Sequence, residues 1–273
     1  MVKKLIFNAD DFGYSHGVNL GIIESYRRGL LSSTTLMPAM SGFEHAVGLA
    51  KENPGLGIGV HLTLTCGSPL GRGYKTLTPH GEEFPRKPYY IDESTTIDLD
   101  EVEHEWTLQM ERVLACGICP DHLDSHHHIH TYKGCERVFY TLAERYDLPV
   151  RNSWGCGDEY TGPHMDTPDS IDHPGTLIDY ITPAGVDFSD SPIEYRDKIT
   201  ACLIDQVPAA LGEHDVVEVM CHPAFVDFPV FAGSAFNAAR SAEVDVLCDP
   251  RVRAFIQDME DVEVANYRQV YNS

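Results

Sequence analysis

Short apolar runs alternate with longer amphipathic segments along this chain, the pattern of a mostly parallel sheet with helical crossovers. Lys4 to Ala9 reads as a first strand and ends on the acidic pair Asp10-Asp11. From Gly17 to Gly29, apolar Val18, Ile22, Ile23 and Tyr26 recur at helical spacing, and Gly29 is a stop signal. Ser32 to Met37 is a second strand, Gly42 to Glu52 a helix closed by Asn53-Pro54-Gly55, and Gly57 to Leu64 a third strand carrying His61. Residues 66–98, rich in Gly, Pro, Lys and Tyr, predict a long loop, with room for a hairpin. A helix over Leu99 to Leu114 follows, with Val102, Trp106, Met110 and Val113 on one side. Asp121 to Asp124 predicts a strand leading into a histidine cluster and a helix through about Tyr146, and Val150-Arg151-Asn152 a further strand. Residues 154–191 carry no clear period. A helix over Ile193 to Leu211, a strand over Asp215 to Cys221 and a helix near Asp249 to Met259 complete the pattern. About seven such units, with polar residues at the strand ends, predict a single-domain (β/α) barrel over residues 1–273, TIM-barrel-like and irregular.

Composition agrees with that picture and narrows the partners. The 273 residues suffice for one barrel domain, and 42% hydrophobic with 23% charged residues is ordinary for a globular protein. No run of about 18 apolar residues predicts a membrane span, and the N-terminal apolar run is too short for a secretory signal, so a cytoplasmic location is expected. A net charge of −22 argues against nucleic acid and anionic membranes as partners. A homodimer stays open. The eight cysteines are scattered, and a reduced state is expected. Cys116-Gly117-Ile118-Cys119 has no second pair at zinc-finger spacing and reads as a structural turn.

The chemistry concentrates at strand ends. Asp124-Ser125-His126-His127-His128-Ile129-His130 places four imidazoles in seven residues, and neutral imidazole is the commonest protein metal ligand. If a helix starts there, His126 and His130 share a face, leaving His127 and His128 for supporting or substrate contacts. Asp10 and Asp11 would face opposite sides of a regular strand, but a turn at the strand end lets both reach one site; capping of the next helix is the competing reading. His61, with its apolar neighbours, suits either a ligand or a hydrogen-bonded core position. His222, before Pro223 at the end of an apolar strand, suits a general acid or a plain turn. Arg151 suits bidentate support of a carboxylate, or a surface ion pair. Together these residues suggest a mononuclear metal site of Asp and His.

Several stretches carry a family resemblance. They are Asn8-Ala9-Asp10-Asp11-Phe12-Gly13 with Ser15, Gly17 and Asn19, then Gly21-Ile22-Ile23-Glu24, Ser33-Thr34-Thr35, and Gly59-Val60-His61 with Leu64-Thr65. His122 to His130 and Glu218-Val219-Met220-Cys221-His222-Pro223-Ala224 continue it. In these the chain resembles the YdjC-like carbohydrate deacetylases, most of all their bacterial chitooligosaccharide deacetylase branch. The resemblance implies a barrel-type hydrolase acting on a small acetylated oligosaccharide. It implies one divalent ion held by Asp11, His61 and His126, with Asp10 as general base. It favours Mg2+, with Zn2+ or another transition ion as the alternative. In amide hydrolysis His222 would protonate the leaving amine and Arg151 would fix Asp10. Two rival classes share the ligand set: a non-haem iron oxygenase, and a sugar- or metal-binding protein without catalysis.

Overall fold

The computed structural model describes residues 2–151, 176–179 and 191–271. Its centre is β1 (Lys3–Phe12), whose Leu5 to Phe12 are all buried. Such a run, hydrophobic on both faces, is what a central strand covered by helices requires. The other strands are β2 (Ser33–Leu36), β3 (Gly57–Leu62), β4 (Leu123–Ser125), β5 (Thr176–Asp179), β6 (Val216–Cys221) and β7 (Val262–Val264). All pair in parallel, in the order β4-β3-β2-β1-β6-β5, while β7 joins the start of β1 at Lys3 to Leu5. The result is a curled, open half-barrel flanked by helices, an irregular version of the expected barrel.

The helices follow local signals closely. In α1 (His16–Arg28) Ser15 is the N-cap, accepting from Val18 N at 3.2 Å, and Arg27 and Arg28 face the negative end of the helix dipole. After α2 (Phe43–Glu52), the 66–98 region contains one short helix, α3 (Lys87–Ile91), and no hairpin. Its shape comes instead from α4 (Leu99–Ala115). Glu101 there accepts from Lys75 N and Thr76 N, and Glu105 from Leu70 N, Gly71 N and the Tyr74 hydroxyl. The adjoining face of α4 buries Val102, Trp106, Met110 and Val113 as its period predicts.

Four local expectations change. The helix after the histidines, α5 (Cys135–Tyr146), starts only at Cys135, because His126–Thr131 is a 3₁₀ segment in which His127 and His128 take left-handed φ of 58° and 50°. His126 and His130 therefore share no α-helical face. Val150 makes an isolated bridge to Leu123 rather than a strand. The helix α6 (Pro192–Glu213) starts on a Ser191/Glu194 capping box, and β6 follows it. Beyond β6 come α7 (Phe228–Gly233), α8 (Ala238–Cys248), the expected helix α9 (Pro250–Gln257), β7 and α10 (Tyr267–Tyr271), all but α9 unforeseen. Cys116 caps α4 and neither Cys116 nor Cys119 is in a disulfide, so the Cys-x-x-Cys spacing is a turn. Most of the aperiodic 154–191 segment lies outside the described residues. Among the described residues no helix is long and apolar enough to cross a membrane.

Candidate metal centre

The strand ends converge on one buried cluster. Between β1 and β2 the register runs Ala9↔Thr34 and then Phe12↔Leu36, so β1 carries one extra residue at the acidic pair. Asp11 takes φ 71° in this bulge, a conformation costing about 1–3 kcal/mol for a residue with a side chain. The bulge is what turns both carboxylates to one side. Gly13 (φ 97°) completes the turn, its N–H donating to Asn19 Oδ1 at 2.6 Å. The helix that follows is capped by Ser15, leaving neither aspartate with that role.

His61 Nε2 lies 3.6 Å from Asp11 Oδ1 and 3.8 Å from Asp10 Oδ2, and His126 Nδ1 lies 2.9 Å from Asp11 Oδ1. His61 Nε2 is enclosed and makes no hydrogen bond. For metal–donor bonds of 2.0–2.2 Å, adjacent donors of a tetrahedral or octahedral site stand about 2.9–3.6 Å apart. The Asp11–His61 and Asp11–His126 spacings match those edges, and all three donors lie within 4.8 Å of one another, as a single cation requires.

Supporting contacts orient each donor. His61 and Asp124 are register partners on β3 and β4, and Asp124 Oδ1 sits 2.5 Å from His61 Nδ1. That contact fixes the ring so that Nε2 faces the site. Thr35 donates to Asp124 Oδ2 at 3.1 Å. Asp10, His61 and Asp124 also cluster, but Arg151 already stands between the two aspartates, with Nη1 2.8 Å from Asp10 Oδ2 and 3.0 Å from Asp124 Oδ2. Arg151 Nη2 completes a bidentate clamp on Asp10 at 2.5 Å. On the other side Arg240, from the first turn of α8, places Nη2 2.8 Å from Asp11 Oδ2. His222, just past β6, has Nε2 3.7 Å from Asp10 Oδ2.

Charge accounts for the protonation states. Burial opposes ionisation of Asp10, but Arg151, His61 and His222 outweigh it and hold the carboxyl well below its ordinary range. The same contest at Asp11, with His126 and Arg240 opposing burial, also ends well below that range. His222 is pushed down to about 4, chiefly by burial, and rests neutral. Burial likewise lowers His127 to about 2 and His128 to about 4, and holds His130 well below its ordinary value. The cluster therefore adds no positive charge of its own through these three. With His126 deprotonated, as a metal ligand must be, counting Asp10, Asp11, Asp124 and Glu218 against Arg151 and Arg240 leaves two excess negative charges in the ion-paired set. A divalent cation balances that excess.

All six expected residues thus meet in one place: Asp10, Asp11, His61, His126, Arg151 and His222. The other three histidines of the run are not among the metal donors, although the His127 ring lies 3.9 Å from that of His126 and His128 is within electrostatic reach of Arg151 and Asp10. His127 Nδ1 pairs with Thr65 Oγ1 at 3.0 Å, and His130 sits in the core, its Nδ1 2.6 Å from Ser125 Oγ and its ring stacked on Phe139. Reading the chain alone assigned no role to Asp124, Glu218 or Arg240. Asp124 and Glu218 stand inside the motif stretches, but Arg240 lies in an unforeseen helix and had no local signal.

A curled parallel sheet that gathers a carboxylate and two imidazoles at its strand ends, beside an arginine-clamped carboxylate, defines a barrel-type protein with a candidate metal-binding site. The sequence profile described as YdjC-like protein matches residues 4–258. A Brevibacillus brevis protein named carbohydrate deacetylase is 38% identical over 257 residues, covering 94% of this chain and 96% of that one. A Geobacillus stearothermophilus protein of the same name is 37% identical, covering 99% of each. A crystal structure from Enterococcus faecalis V583, described provisionally as a cellobiose-phosphate cleavage protein, superposes with a TM-score of 0.81 at 31% identity, covering 99% of each chain. The chain belongs to the YdjC-like family.

Proposed function

We propose that this protein is a metal-dependent carbohydrate deacetylase. Its substrates are chitooligosaccharides such as diacetylchitobiose, from whose N-acetylglucosamine units it releases acetate. One observation carries the reading: the Asp11–His61–His126 donors converge directly beside Asp10, which lies 3.7 Å from His222. The relatives named carbohydrate deacetylase support a carbohydrate substrate, and the choice of chitooligosaccharides rests on the motif resemblance.

A divalent ion at this centre would polarise the acetyl carbonyl and acidify the attacking water. Asp10, kept ionised and oriented by Arg151, accepts a proton from that water as its oxygen bonds to the carbonyl carbon. His222, neutral at rest, receives the proton across the short gap to Asp10. A low imidazole pKa makes the resulting imidazolium a strong donor to the amide nitrogen as the C–N bond breaks. The nitrogen then departs as a neutral amine rather than an amide anion. Such acid–base help is worth roughly 10²–10⁴-fold. The family resemblance favours Mg2+, while the two imidazoles also suit Zn2+.

The reading is tested by measuring acetate release from N-acetylglucosamine, diacetylchitobiose and longer oligomers, after chelation and with Mg2+ or Zn2+ restored. Metal-dependent acetate release from the oligomers is expected; none from any of them, with metal bound, refutes it. The Enterococcus faecalis relative suggests cleavage of a phosphorylated disaccharide as a second reading. Glycoside cleavage needs a carboxylic acid that holds its proton at working pH. Asp10 and Asp11 are both held ionised, which disfavours that chemistry. Incubation with cellobiose phosphate, scored for new reducing ends, separates the two.

A further inference from the structure

Behind Asp10, a ladder of buried polar groups runs through the interior of the half-barrel to the last helix of the chain. Arg151 is fully buried and reaches three carboxylates, Asp10, Asp124 and Glu218. Besides its clamp on Asp10, its Nε donates to Glu218 Oε1 at 2.9 Å, and Nη2 lies 2.8 Å from the same oxygen. Glu218 pairs with Ile6 in the β1–β6 register, four residues before Asp10, so the arginine bridges two levels of the interior. The other Glu218 oxygen, Oε2, accepts a hydrogen bond from the Tyr267 hydroxyl. Tyr267 is itself rigidly seated. It is fully buried at the start of α10, and its ring lies 3.7 Å from the His122 ring at an interplanar angle of 2°. His122 Nδ1 is held 2.8 Å from Asp121, and Gly59 leaves the ring its space, since a Cβ there would stand 2.4 Å from it.

The geometry makes Arg151 a shared donor. Its Nη2 stands 2.5 Å from Asp10 Oδ1 and 2.8 Å from Glu218 Oε1, so what Glu218 draws, Asp10 loses. A buried carboxylate oxygen deprived of its donor must seek another. The nearest one offered to Glu218 is this guanidinium.

We propose that Tyr267 is a positioning residue for Asp10, acting through Glu218 and Arg151. By satisfying Glu218 Oε2 it leaves the Arg151 fork free to hold both Asp10 oxygens in the orientation that accepts the water proton. This rests on the Asp10 role proposed above. Tyr267 lies beyond residues 4–258, the span matched by the family profile.

The test compares Tyr267→Phe, Glu218→Gln and the double variant, since Tyr267→Phe keeps the ring and its stack on His122. Two readouts are used: the Arg151 Nε–H resonance in ¹⁵N-arginine-labelled, substrate-free protein, assigned by its loss in Arg151→Lys, and kcat and KM for acetate release. Tyr267→Phe should shift the Arg151 resonance and lower kcat about tenfold, the scale of one displaced hydrogen bond, with KM and metal content unchanged. Adding it to Glu218→Gln should change kcat by less than about threefold, as expected for residues acting in one chain. An unmoved resonance with wild-type kcat, or fully additive losses, overturns the proposal. If Tyr267→Phe fails to fold, Glu218→Gln must by itself shift the resonance and lower kcat at constant KM, and its failure to do so overturns the proposal equally. If the wild-type protein releases no acetate, the functional reading fails while the resonance still decides the ladder.

Discussion

Asp124 offers the sharpest test of the metal centre because it touches the ligand His61 on the side away from the site. Its Oδ1 is 2.5 Å from His61 Nδ1, and its Oδ2 is 3.0 Å from Arg151 Nη1 and 3.1 Å from the Thr35 hydroxyl. Asp124→Asn preserves the shape but replaces one oxygen by an NH2. In one orientation that NH2 faces Arg151, and in the other it faces the His61 Nδ1–H needed to present Nε2 as a lone pair. Either way a charge-assisted hydrogen bond, worth about 1.5–3 kcal/mol, becomes a contact between donors. Outer partners of metal-bound histidines typically contribute 10–100-fold in affinity, roughly 1.4–2.7 kcal/mol, so the two estimates agree. The expected outcome is a 10–100-fold weaker metal Kd with a native circular-dichroism spectrum, read by competition against a fluorescent chelator. An unchanged Kd would show that His61 is not held for metal by Asp124, and the ligand assignment would lose its main support.

Four further outcomes are expected. Asp10→Asn should keep its metal and lose about 10²–10⁴-fold in acetate release, so near-normal turnover would remove Asp10 as the base. His126→Ala should lose the metal by elemental analysis, and full occupancy would move the ligand elsewhere in the histidine run. Arg240→Met leaves Asp11 buried without its guanidinium; in the metal-free protein this should cost about 3–5 kcal/mol by urea unfolding, much of it recovered by added metal. At His126 burial opposes protonation, but Cys66 and Asp11 outweigh it and raise the pKa well above 6.5. In the metal-free protein that proton's stabilisation is complete below 6.5 and is lost as pH rises through the higher folded value. Metal must displace the proton, so its Kd should weaken by up to about tenfold per unit as pH falls below the folded value; a pH-independent Kd by calorimetry would contradict this.

Local signals were strong wherever a segment's conformation depends on its own residues. The buried run of β1 and the four apolar positions of α4 could be read from a few neighbours. The 3₁₀ turn at His126–Thr131 was not legible, since four histidines suit a helix as well as a turn and only the left-handed His127 and His128 decide. Helix α8 was missed for a related reason. It buries residues on several sides, including Arg240 and Glu243, so it lacks the single apolar stripe by which an amphipathic helix is read.

The chain by itself determined the types of donor, their places at strand ends and the family they resemble, because ligands and catalytic groups must be particular residues. Only the tertiary structure decided that a one-residue bulge turns Asp10 and Asp11 to the same side, and that Arg240 neutralises part of the site from a distant helix. It also brought Tyr267 behind Arg151 across more than a hundred residues. These are facts of placement. A buried charge must find its partner in space, and the partner's distance along the chain leaves no trace in the residues around it.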